Sequence, residues 1–433
     1  METPLSFTPL GVTNYRNAHK RFGIKDADRL MHVYLLGKSG SGKSTLILNM
    51  AISDLQRGHG FALLDPHGEL SKELLNYIPE ERIKDIVYFD PKDIDNPIPF
   101  NPLFGIPEKH HNLVASGIIS TMKKVWAESW GPRMEHILRF SLLSLLHYPG
   151  ATLLDIQPLL TSDEFRSQVL CHVKDTFIRN FWHNEFAAYT KGLRAEAIAP
   201  ILNKVGIFSA SLPLRYSLGQ KSRGLRMLDI MNSRKVLIVN LSKGELGEDT
   251  SALLGSMLIT SIQLAALYRA KASVEKRTPF FLYIDEMQSY VTMSFCDILA
   301  EARKYGLGLF LTHQYTKQIH PYILAAVLGN VGTLLCFRIG ADDAETLQRE
   351  FYPTFTAEDL IHLPRYHMCL KLMIDGTSSR PFSALSLSLT AAQTGTTAAV
   401  LKHSAASYGG SRRDVDDRYR GQNKPVPAGQ LFS

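Results

Sequence analysis

The stretch His32-Val33-Tyr34-Leu35-Leu36-Gly37-Lys38-Ser39-Gly40-Ser41-Gly42-Lys43-Ser44-Thr45 decides how the rest of the chain is read. A short apolar run meets a Gly-rich loop, and the loop opens directly into a helical pattern over residues 44–57 that Gly58-His59-Gly60 stops. The loop is a complete GxxxxGK[ST], flanked by the strand and helix that such a loop needs. Its glycines let backbone N–H groups turn inward around phosphate oxygens, and the helix N-terminus adds partial positive charge. Lys43 reaches the β and γ phosphates, and the Ser44 hydroxyl can ligate Mg²⁺. Gly37, Lys38, Ser39, Gly40, Ser41, Gly42, Lys43, Ser44 and Thr45 are therefore the expected nucleotide-binding residues, with ATP and Mg²⁺ as the expected cofactors.

Working outward, apolar strand runs at 61–65 and 85–90 alternate with helical segments, which argues for a parallel α/β sheet. Pro91, Pro97, Pro99 and Pro102 then force a surface crossing. From 107 to 225 the spacing is helical almost throughout, as in Ile137-Leu138, Leu142-Leu143 and Phe181-Trp182, and predicts an all-helical insertion domain. Strand patterns resume at 235–241, 280–284, 307–311, 331–339, 367–374 and 382–389. The expected organisation is an arm or edge strand over 1–30, an ATPase domain from 31–106 and 226–389, the helical insertion between them, and a disordered tail over 390–433.

Composition supports a folded chain. At 433 residues it has room for two or three compact units, and 45% hydrophobic with 21% charged residues excludes a disordered, collagenous or coiled-coil chain. Cys171, Cys296, Cys336 and Cys369 are widely spaced with no CxxC pair, so neither a disulfide framework nor a zinc ribbon is written here. A net charge of +7 permits nucleic-acid contact without demanding it. The N-terminus lacks the apolar core and cleavage site of a secretory signal. Residues 250–268 run without a charge, but they sit between two strand patterns, as a buried crossover helix does, and are read so rather than as a membrane span.

A phosphate loop needs an acidic strand end to hold magnesium, and Phe281-Leu282-Tyr283-Ile284-Asp285-Glu286 supplies it. Asp285 is the expected metal partner with Ser44, and Glu286 is placed to polarise the water that attacks the γ-phosphate, which favours hydrolysis over kinase chemistry. Downstream, Leu309-Phe310-Leu311-Thr312-His313-Gln314 ends another strand in polar groups. Gln314 there can sense the γ-phosphate, whereas His313 reads as a satisfied strand-end residue. Asp65 serves an Asx-type turn as readily as chemistry, and His67 reads as structural. Trp126, Trp130 and Trp182 read as core rather than as base-stacking platforms. Leu241-Ser242-Lys243-Gly244-Glu245 ends a strand, so it is not the signature loop of transporter ATPases, which opens a helix.

GKSGSGKST, LLDPHGEL, VYFDP, FNPL, WGPRMEHILR, LSKGELGE, YIDEMQSY, EARKYGLGLFLTHQY and GNVGTLLCFRIGADDAETL, in that order, resemble the additional-strand P-loop ATPases of the FtsK/HerA motor superfamily, and most nearly the TraD/TraG/VirD4 type IV secretion coupling proteins. The resemblance implies a RecA-like fold and an ATP-hydrolysing DNA translocase, usually a homo-hexamer with DNA in its channel and a relaxase or secretion-channel proteins as partners. It also implies that Arg303 is an arginine finger supplied in trans, with Glu286 and Gln314 as the other catalytic residues. The helical insertion matches the family's all-alpha domain. Such coupling proteins begin with two membrane helices, which the residues before the first sheet strand cannot form. The expectation is therefore a cytoplasmic motor without an integral span, peripheral at the inner face of the membrane. A VirB4-like secretion-assembly ATPase and a nucleotide-switched assembly module are the alternative readings.

Overall fold

The structure is a computed structural model that describes residues 7–14, 19–221, 224–273 and 277–420. The described residues divide into two units, those up to 89 with those from 226 to 404, and those from 90 to 225 with those from 405 to 420.

The first unit is built on one sheet, ordered β2-β1-β13-β10-β9-β3-β8-β7-β4-β6-β5. Its strands are β1 (Thr8–Thr13), β2 (Arg21–Ile24), β3 (Val33–Leu36), β4 (Gly60–Asp65), β5 (Ile86–Phe89), β6 (Val236–Asn240), β7 (Phe280–Ile284), β8 (Leu307–His313), β9 (Thr333–Cys336), β10 (His367–Lys371) and β13 (Phe382–Ser386); a separate hairpin pairs β11 (Met373–Ile374) with β12 (Thr377–Ser378). From β5 across to β9 every pairing is parallel, and from β9 to β2 every pairing is antiparallel. The parallel strands β3, β4, β6, β7 and β8 are buried at every residue, as expected when helices cover both faces. The N-terminal segment joins the sheet: β1 pairs with β13, and β2 forms the edge.

The uncharged stretch forms the helix Glu248–Tyr268, with fourteen of its residues buried in this unit. Gly255 makes its close packing possible. A Cβ there would stand 2.2 Å from the Tyr290 ring, so only glycine lets that ring lie against the helix backbone. The Ser256 hydroxyl then donates to the Tyr290 carbonyl at 2.6 Å. A buried ion pair, Arg29 to Asp54 at 2.6 Å, ties the phosphate-loop helix Lys43–Gln56 to the turn before β3. The Tyr283 hydroxyl completes it by donating to Asp54.

The second unit is helical, with no strand among its described residues. The helices His111–Val125, Pro132–His147 and Lys191–Ala210 are its longest. Trp182 is buried with its indole N–H on the Ser144 hydroxyl at 2.8 Å, a core tryptophan.

The expected disordered tail is corrected by the structure. Residues after 390 form the helices Thr397–Tyr408 and Arg412–Arg420. In the first unit Val400 is fully buried, and the Ser404 hydroxyl accepts the Tyr88 N–H of β5. In the second unit Val415 is buried, Arg418 pairs with the fully buried Asp155 at 2.5 Å, and the Tyr419 hydroxyl meets that of Thr152. Composition misled here because a short helix docks on one apolar residue and a few polar anchors, too little to raise the segment's overall hydrophobicity. Residues 421–433 of that tail lie outside the described residues.

Candidate nucleotide site

The sheet order builds the site. β8 lies between β3 and β7, with Leu36 opposite His313 and Ile284 opposite Leu311. Three strand ends therefore converge at one edge. The phosphate loop follows β3, Asp285-Glu286 follow β7, and Gln314 follows β8. Asp285 continues the ladder by donating its N–H to the Leu64 carbonyl of β4.

The loop's conformation follows from its glycines. Gly40 at φ 73° and Gly42 at φ 122° take backbone angles that a side chain resists. Lys43 is buried, and its ammonium donates to the Gly37 carbonyl at 2.6 Å and the Lys38 carbonyl at 3.3 Å, so it lies curled within its own loop. Burial lowers its proton affinity below the ordinary lysine range, while Glu286 and Asp285 pull it the other way. Ser44 is exposed at the first turn of the helix.

Asp285 and Glu286 are differently held. Asp285 is buried, and burial with the neighbouring Glu286 and Asp65 charges pushes its carboxyl up to about 6, against the hydrogen bond that the Thr312 hydroxyl donates at 2.7 Å. A carboxylate so crowded by like charge suits a divalent cation, and Ser44 with Asp285 form a hard oxygen donor set that fits Mg²⁺. Glu286 adopts a left-handed backbone, φ 47°, uncommon for a bulky residue. Its N–H donates to the Thr312 hydroxyl at 3.3 Å. Both carboxylate oxygens accept amides: Oε1 from Gln314 at 2.8 Å and Oε2 from Gln288 at 2.7 Å.

Of the residues the sequence singled out, Ser39, Gly40, Gly42, Lys43, Ser44, Thr45, Asp285, Glu286 and Gln314 line one cleft of about 810 Å³, within the range of small-molecule sites. Arg303 is not among them. It is exposed in a turn just before β8, whereas Gln314 follows the other end of that strand. Seven residues of extended chain set the two roughly 20 Å apart. Asp65 also lines the cleft, but its two oxygens accept the His67 and Ser71 N–H groups, the Asx-turn role. His313 is fully buried against the Tyr34 hydroxyl, and burial, with the Lys43 charge, pushes its imidazole down to about 3, so it is a neutral core residue.

Sequence reading missed Thr312, Gln288, Arg365 and Tyr366. Thr312 lay inside the quoted strand end, but its role needs the register that sets it level with Asp285. Arg365 and Tyr366 precede β10 with no motif around them.

A phosphate loop on a buried strand, an acidic pair two strands away and a polar-ended strand between them define the RecA-type P-loop NTPase fold, here with a mixed, largely parallel sheet. Comparison with known proteins narrows the class. No protein-family profile matches the chain. Over 406 residues it is 22% identical to the type 4 coupling protein DotL of Legionella pneumophila, covering 78% of this chain and 51% of DotL, so it spans about half the length of that relative. In fold it is similar to the bacterial conjugative coupling protein TrwBΔN70, unbound form, with a TM-score of 0.63 at 14% identity over 89% of this chain and 90% of the other. The plasmid coupling protein TrwB in complex with ADP and Mg²⁺ matches with the same score and identity over 89% and 92%. VirB4 of Thermoanaerobacter pseudethanolicus matches at 0.61 and 12% over 88% and 97%. The chain is thus similar in sequence and in fold to type IV coupling proteins, with a TrwB-like RecA-type NTPase fold.

Proposed function

We propose that the chain is an ATP-hydrolysing motor that moves DNA, working as a type IV secretion or conjugative coupling protein does, in a homo-hexameric ring at the cytoplasmic face of the membrane. The observation that carries the hydrolytic part is the Gln314 amide on the Glu286 carboxylate, in one cleft with Lys43 and Asp285. Lys43 and the loop N–H groups grip the phosphates, Glu286 orients and deprotonates the attacking water, and Gln314 couples that carboxylate to the γ-phosphate's presence. Ser44 and Asp285 would hold Mg²⁺, which would supply neutralisation of phosphate charge. Arg303 is too far to act on its own site, so it serves a neighbour's, as a shared site in a ring requires. DNA as the cargo, with a relaxase or channel proteins as partners, rests on the resemblance of the sequence motifs to the coupling-protein family, and the similarity to a type 4 and a conjugative coupling protein supports that reading.

The fold similarity to VirB4 supports a second reading, in which hydrolysis drives assembly of a secretion channel. Steady-state ATP hydrolysis by the purified chain, alone and with single-stranded or duplex DNA, separates the two. Salt is held fixed because phosphate contacts weaken steeply with it, and Lys43→Ala sets the background. A large DNA-dependent rise is expected. Lys43-dependent turnover indifferent to DNA would replace the translocase reading with the assembly one.

A further inference from the structure

The cleft carries a cation that the phosphate-loop reading leaves unused. We propose that Arg365 is the second cation of the phosphate site, contributed by the same chain that contributes Lys43, and that Tyr366 is the residue that holds it there. The inference rests on the nucleotide-site reading above and adds a ligand contact to it.

Three observations carry it. First, Tyr366 is built into the phosphate loop: its N–H donates to the Ser41 carbonyl at 3.1 Å, its ring lies where a Cβ on Gly42 would come within 2.9 Å, and its own carbonyl accepts the Ser386 N–H of β13 at 2.9 Å. The residue keeps a left-handed backbone, φ 67°, a conformation that persists only where surroundings impose it. Second, the Arg365 guanidinium lies over that ring, 4.7 Å from its centroid, and makes no hydrogen bond or ion pair to another side chain among the described residues. A planar cation stacked on an aromatic face keeps its edge N–H groups free to take a phosphate bidentately. Third, the cleft is acidic. Asp65, Glu69, Glu73, Asp285 and Glu286 all line the cavity, against Lys43 and Arg365 as the Lys and Arg side chains among its lining residues. Those carboxylates repel an anionic ligand, and Arg365 offsets part of that repulsion beside Lys43 and the Mg²⁺ that Ser44 and Asp285 would hold.

Arg365 touches the phosphates rather than the base, because Tyr366 anchors it beside Ser41 and Gly42, the part of the loop that wraps the phosphate chain. Equilibrium binding by calorimetry, without DNA, tests this with three probes in Mg²⁺: ATP, ADP and inorganic tripolyphosphate. Arg365→Gln is expected to weaken all three by about 10- to 100-fold, as loss of a charge-assisted hydrogen bond does, and Arg365→Lys to recover part of it. The side chain is exposed and stacks on one ring, so the variant is expected to fold, and an unchanged unfolding midpoint checks that. Loss for ATP and ADP with tripolyphosphate unaffected would overturn the phosphate contact in favour of a base or ribose contact. Unchanged affinity for all three would remove Arg365 from the site. Wild-type protein that binds none of them would overturn the nucleotide-site reading itself, and this inference with it.

Discussion

Gln288→Ala is expected to speed DNA-free hydrolysis. The reasoning starts from the Glu286 carboxylate, whose Oε1 accepts the Gln314 amide at 2.8 Å and whose Oε2 accepts the Gln288 amide at 2.7 Å. Each carboxylate oxygen has a second lone pair, so a water polarised by Glu286 competes with an amide only where it approaches the lone pair which that amide holds. The two donors are not equivalent. Gln314 lines the cleft and can turn toward a phosphate, whereas Gln288 sits in the turn Met287–Ser289 directly after the acidic pair. Displacing a hydrogen bond to a charged group costs about 1.5–3 kcal/mol. Removing the Gln288 amide eliminates that cost at Oε2, and about 1.5 kcal/mol off the barrier is roughly a tenfold faster chemical step. The assay is single-turnover hydrolysis at saturating MgATP without DNA, which isolates chemistry from binding and release. Gln314→Ala should instead slow the step, because it removes the group that reports the γ-phosphate. If Gln288→Ala fell to the level of Glu286→Gln, the amide would be holding the carboxylate in its working position rather than occupying it, and the reasoning would be refuted.

Three further outcomes are expected. His32 is buried between the Leu299 carbonyl, which its Nε2–H faces at 3.2 Å, and the Leu309 N–H, which its Nδ1 accepts at 3.2 Å, and burial pushes it down to about 4. Because the folded value is depressed below 6.5, the unfolded chain binds the proton first. This contribution is full above pH 6.5 and is lost, to about 3 kcal/mol, as pH falls toward 4, which hydrogen exchange along β8 will show in wild type and less in His32→Gln. Arg418→Gln leaves the fully buried Asp155, whose carboxyl burial already pushes up, without its cation; about 3 kcal/mol should be lost. Trp126, Trp130 and Trp182 all lie in the helical unit, so a lower urea midpoint by tryptophan fluorescence reads that unit alone. Arg303→Ala should abolish steady-state turnover yet regain part of it in mixed assemblies with Glu286→Gln subunits; absence of rescue would sink the trans assignment.

What could be read in advance was whatever local chemistry writes in a short window. The phosphate loop is such a case, since Gly40 and Gly42 are glycines because of their own φ angles, and Asp285 follows a run of apolar residues that can only be a buried strand. The groups that tune the site are not local. Thr312 acts on Asp285 because two strands pair in one register out of several, and Tyr366 reaches Gly42 from a strand end more than 300 residues away in sequence. No spacing rule encodes either contact. The tail shows the opposite failure, in which a composition window averaged Val400, Ser404, Val415 and Arg418 into a polar background although each has a partner. The outer strands β1 and β2 were half-legible for a related reason: they are only partly buried and give a weaker pattern than the fully buried β3 or β7.

The position of Arg303 gives the proposed ring a mechanical consequence. Arg303 stands just before β8 and Gln314 just after it, so a single buried strand of seven residues separates the group assigned to a neighbour's nucleotide from the group assigned to its own. The strand is paired on both sides, to β3 and to β7, and cannot slide by one residue without reversing which side chains face each layer. It therefore transmits displacement as a rod rather than absorbing it. Movement of Gln314 on loss of the γ-phosphate would be carried along β8 to Arg303, and through it to the adjacent subunit's site. His32 strengthens this link, because its imidazole binds the Leu309 N–H of β8 on one side and the Leu299 carbonyl of the helix leading to Arg303 on the other. Coupling between neighbouring sites then depends on His32, and His32→Gln should reduce the cooperativity of ATP hydrolysis at neutral pH while leaving the affinity of an isolated site unchanged. Loss of affinity without loss of cooperativity would mean that His32 supports the phosphate loop through β3 instead.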